Sequence, residues 1–84
     1  MRRSIDDSLD DHPVDDEFPA VSWMVGLNDD PDVSTDGSPR VSVTLEERGN
    51  AARGIVAQLA PDTARRLRTA IAAALREIGE PPGD

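Results

Sequence analysis

From Pro61 to Ile78 the apolar residues Ala64, Leu67, Ile71, Ala74, Leu75 and Ile78 recur at the spacing of one helical face. No other segment limits the fold so strongly. Pro61 suits the first turn, where its missing N–H is not needed. Asp62 sets negative charge at the positive end of the macrodipole. Gly79 supplies a C-terminal stop, and Pro81-Pro82 prevents the helix from continuing. The weak point is Ala60, which stands at the N-cap position without a side-chain oxygen. A helix with one apolar stripe has to lay that stripe on something.

The upstream chain supplies strands. Val21, Trp23, Val25 and Leu27 alternate with Ser22, Met24 and Gly26, the period of a half-buried strand. Residues 28–39 are dense in Asp, Pro, Ser and Gly and read as a loop. A second alternation places Val41, Val43 and Leu45 on one face and Ser42, Thr44 and Glu46 on the other. Glu47 to Arg53, which contains Gly49-Asn50, reads as a hairpin connection, and Gly54 to Leu59 as a third strand with Ile55, Ala57 and Leu59 facing inward. The expected fold is α+β: a three-stranded antiparallel sheet packed by one C-terminal helix, spanning residues 20–80.

Residues 1–19 are expected to be a disordered acidic tail, since Ile5, Leu9, Val14 and Phe18 are too sparse to build a core. Residues 81–84 are read as a second disordered end. The net charge of −8 is uneven. Residues 1–36 hold eleven acids and two arginines, whereas residues 37–84 hold six acids and seven arginines. The predicted folded part is therefore close to neutral. Its size is a difficulty, because a domain of about 60 residues buries only roughly 60% of its unfolded surface. Cysteine is absent, so no disulfide adds stability. The opening residues lack the apolar core of a secretory signal, and no apolar run is long enough to span a membrane. A cytoplasmic protein is expected.

Catalytic chemistry has little to work with, and the chain is read as a non-enzyme with no cofactor. His12 is the only histidine and lies in the acidic segment beside Pro13, so no nucleophile–base pair is preorganised. The paired carboxylates at 6–7, 10–11, 15–17 and 29–30 also fall in predicted flexible stretches, where the fixed geometry of a site is missing. No glycine-rich turn opens a helix to cradle phosphate. Asp32-Val33-Ser34-Thr35-Asp36-Gly37 matches the first half of an EF-hand loop, but the closing bidentate position falls on Val43. The loop is read as a solvated turn.

What remains is binding. Candidate interface residues are Trp23 and Met24 on the first alternation, Val56 on the third strand, and Arg65 and Arg76 on the helix. Trp23 is expected to be mainly a core residue. Met24 and Val56 fall on the outward sheet face and are open to a second copy. Arg65, Arg66, Arg68 and Arg76 do not form one stripe, and Asp62 and Glu80 stand four residues from Arg66 and Arg76. Protein–protein interaction through a homodimer is therefore the leading expectation. A nucleic-acid regulator using the helix arginines of a dimer is not favoured, and an inhibitor acting through the acidic tail is a further alternative. The protein partner is not identified by the sequence, and no membrane partner is expected.

The strand Val41-Ser42-Val43-Thr44-Leu45 and the run Leu59-Ala60-Pro61-Asp62-Thr63-Ala64-Arg65-Arg66-Leu67 resemble a pattern in small uncharacterised actinobacterial proteins. The use of arginine without lysine and the abundance of alanine fit a GC-rich bacterial genome. The layout also resembles the dimerisation domain of actinobacterial nucleoid-bridging proteins, in topology only, since no DNA-binding segment follows the helix. The resemblance covers about half of the chain and implies a fold, not an activity.

Overall fold

The computed structural model describes residues 2–12, 19–30 and 37–83. Strands β1 (Arg2–Asp10), β2 (Val21–Asn28), β3 (Arg40–Glu47) and β4 (Asn50–Leu59) precede helix α1 (Pro61–Glu77). The strands form one antiparallel sheet in chain order, β1-β2-β3-β4. The fold is α+β with a single C-terminal helix, as the periodicities predict. The sheet has four strands rather than three, however, and residues 2–10 are a strand rather than a disordered tail.

The physical reason for the difference is pairing. Arg2 to Asp10 line up against Asn28 to Val21, with a bulge between Ser4 and Asp6. Backbone hydrogen bonding to a neighbouring edge requires no apolar alternation, and every β1 residue is exposed. Composition alone therefore points the wrong way here. Val14 and Phe18, also assigned to the tail, lie outside the described residues.

Register assigns the faces. On one face the rows Leu27–Val41–Leu59, Val25–Val43–Ala57 and Trp23–Leu45–Ile55 cross β2, β3 and β4. On the other, Met24–Thr44–Val56 and Gly26–Ser42–Gln58 run in parallel. Asn28 and Ser42 are buried polar residues, and each has a partner. The Asn28 side-chain oxygen accepts a bond from the Asp30 N–H at 3.0 Å, and the Ser42 hydroxyl donates to Gln58 Oε1 at 2.7 Å.

Both predicted punctuation marks of α1 are present. Ala60 is an N-cap with no side-chain bond, and Pro61 opens the helix. At the other end Gly79 adopts φ +81, its N–H bonds the Arg76 carbonyl, and the Glu80 N–H bonds the Leu75 carbonyl. This double bond pattern is a Schellman motif, which needs a left-handed residue at the glycine position. Gly49, with φ +76, likewise turns the two-residue connection between Glu47 and Asn50.

Candidate interaction surface

The helix touches chiefly β3 and β4, so one half of the apolar sheet face carries a second layer. Its rotation matters. Ala64, Ala72 and Leu75 are the half-buried positions, whereas Leu67, Ile71 and Ile78 are exposed. On a 100° wheel the exposed set lies about 70° from the half-buried set. The apolar stripe thus turns its larger side chains to the flank of the helix, where they cover the sheet face only in part.

Ile5 and Leu9 on β1 and Met24 and Val56 on the opposite face are exposed, but most of the uncovered large apolar groups lie on the helix side. Leu45 and Ile55 share the end row of the helix-bearing face with Trp23, and both are exposed. With Leu67, Ile71 and Ile78 they make five large aliphatic side chains open to water on the helix side of the sheet. Among the described residues no apolar side chain is fully buried. Between helix and sheet lies a cleft of about 550 Å³, walled by Val25, Val41, Val43 and Leu59 below and by Leu67 and Ile71 above. Arg68 and Arg76 lie on its helix flank and form no ion pair with a described residue.

The five residues singled out from sequence are dispersed. Trp23 is half-buried on the helix-bearing face, while Met24 and Val56 sit on the opposite face with Thr44 between them. Trp23 and Met24 both line a shallow depression with Asp7, Leu9 and Glu46. Arg65 is paired with Asp62 one turn earlier, and Arg76 borders the cleft. Sequence reasoning missed Leu45, Ile55, Leu67, Ile71 and Ile78 as surface groups, because periodicity assigns them inward. Only the rotation of α1 exposes the helical three.

Elsewhere three basic side chains meet carboxylates. Arg48 Nη1 lies 2.9 Å from Asp11 Oδ1, and Arg53 Nε lies 3.1 Å from Glu47 Oε2. His12 Nδ1 stands 2.9 Å from Asp10 Oδ1 at the end of β1. Among the described residues no cluster of three His, Asp or Glu could hold a metal ion. Asp32 to Asp36 of the half EF-hand match lie outside the described residues. No described helix is long and apolar enough to cross a membrane. Comparison with protein-family models, with curated proteins and with solved structures gives no match.

Proposed function

We propose that this protein is a small non-catalytic protein-interaction module that works as a homodimer, in an accessory or regulatory role. The observation that carries the reading is the uncovered apolar surface on the helix side of the sheet. A compact monomer of this mass exposes roughly 4,850 Å², whereas this chain exposes 6594 Å². The chain therefore exposes more surface than a compact monomer of its mass, and an ordinary stable interface covers roughly 800 Å² on each partner. The radius of gyration of 14.5 Å points the same way, since about 12 Å suits a compact domain of this length.

A protein partner fits these observations better than nucleic acid does. The open surface is aliphatic, and Arg48, Arg53 and Arg65 already face carboxylates. Duplex binding draws instead on clustered unpaired cations. The test is sedimentation equilibrium of the full chain at micromolar concentration. A mass twice the 9.0 kDa of one chain is expected. A folded monomer under those conditions would sink the proposal.

A further inference from the structure

The two edges of the sheet differ in how well they are protected. An edge strand offers a row of unpaired N–H and C=O groups, and natural proteins protect such edges with charge, bulges or cover. The β1 edge has both of the first two devices. It carries Arg2, Arg3, Asp6, Asp7 and Asp10, and a bulge interrupts its register at Ser4/Asp6. On β4 both devices, Arg53 and a register shift at Glu46/Glu47, are confined to its first residues, and the edge from Gly54 to Leu59 has neither. It contains no charged residue and no proline, and its register against β3 is unbroken from Gly54 to Leu59. It is also apolar on both faces, with Ile55 67% and Val56 57% exposed on opposite sides. Among the described residues no strand pairs with its outer side.

We infer that β4 pairs antiparallel with β4 of a second copy across a two-fold axis, joining two four-stranded sheets into one continuous eight-stranded sheet. This rests on the homodimer reading and specifies its geometry. The position of α1 supports it independently. The helix lies over β3 and β4, and centred there its axis would stand on the order of one strand spacing, ~4.8 Å, from a two-fold perpendicular to the sheet beside β4. The two helices would then lie on the same side of the joined sheet, about 10 Å apart, close to the 8–10 Å at which helices pack. The exposed ridge Leu67, Ile71 and Ile78 gains a partner in that arrangement, and so do Ile55 and Val56. A two-fold makes each of these patches self-complementary.

The occupant is a second copy rather than a foreign strand, because one operation covers the bare edge and the bare helix ridge together. A foreign strand would cover only the edge. The absence of cysteine makes the geometry testable by single cysteines. Ile55→Cys, Val56→Cys and Ala57→Cys, compared under mild oxidation, should give a disulfide-linked dimer at whichever position lies nearest the axis. Asp6→Cys and Asp7→Cys on the opposite edge should not. Ile55→Lys with Val56→Lys should weaken the dimer by on the order of 100-fold in dissociation constant, through charge at the paired edge. Both side chains are exposed in the single chain, so far-ultraviolet circular dichroism should show the fold unchanged.

Hydrogen exchange of the unsubstituted chain gives a readout free of mutation. In the dimer the outward amides of residues 54–58 should be protected, with protection falling on dilution, while the outward β1 amides exchange fast. A sample that sediments as a dimer, yet cross-links through β1 or leaves the β4 amides unprotected, overturns the edge pairing and leaves the homodimer standing. A monomer in sedimentation removes both.

Discussion

Gly26→Ala tests whether β1 is truly seated on β2, and its sign alone decides. A methyl group built at Gly26 would lie 2.5 Å from the Arg3 carbonyl oxygen, 3.3 Å from its carbon and 3.4 Å from Ser4 Cα. These are backbone atoms, so no side-chain rotation relieves the clash. Either β1 moves away beside its bulge or β2 bends, and overpacking of this kind costs about 1–3 kcal/mol. Opposing it is the ordinary gain from replacing a strand glycine by alanine, about 0.5–1 kcal/mol. The net expected effect is destabilisation by roughly 1–2 kcal/mol. Urea titration followed by emission of the single tryptophan, Trp23, reads it directly. With a slope of about 1 kcal/mol per molar, the midpoint should fall by on the order of 1 M. Protomer concentration has to be equal in the two titrations, because self-association contributes to apparent stability. If residues 2–10 were a free tail, only the alanine gain would remain. A variant as stable as the parent, or more stable, refutes the seating of β1.

Two further perturbations address the ends of α1. Gly79→Ala places a β-carbon on a residue at φ +81; it should lower stability by about 1–2 kcal/mol and reduce helical ellipticity through fraying of the last turn, and an unchanged thermal midpoint would contradict the Schellman assignment. Ala60→Asp supplies the oxygen missing at the N-cap and should raise stability by about 1 kcal/mol, or roughly 4–8 °C in Tm; no rise would show that the first-turn N–H groups already have other partners.

The helix was the easiest element to read, since Pro61, Asp62, Gly79 and the 3.6-residue stripe all agree and depend only on local chemistry. The strands at Val21, Val41 and Gly54 were legible for the same reason, by alternation. β1 was not, because an exposed strand held by backbone pairing leaves no hydrophobic period in Ser4, Asp6, Asp7 and Asp10. The interaction surface was least legible. Whether Leu67 and Ile71 face the sheet or the solvent depends on a helix rotation that spacing does not encode. Trp23 was placed on the right face by its alternation, and its half-buried state follows from the helix covering β3 and β4 instead of β2. The separation of Met24 from Val56 by Thr44 could be found only from register.

The connection between Glu47 and Asn50 has a kinetic meaning. It closes with two residues, whereas the links from Asp10 to Val21 and from Asn28 to Arg40 are far longer. Loop-closure entropy grows with length, so the β3–β4 hairpin is the least costly pairing to nucleate. That hairpin continues directly into α1 through Ala60. The part of the chain with the lowest closure cost is thus also the part that carries the unguarded edge. Low cost of closure and exposure of an edge therefore fall on the same segment of the chain.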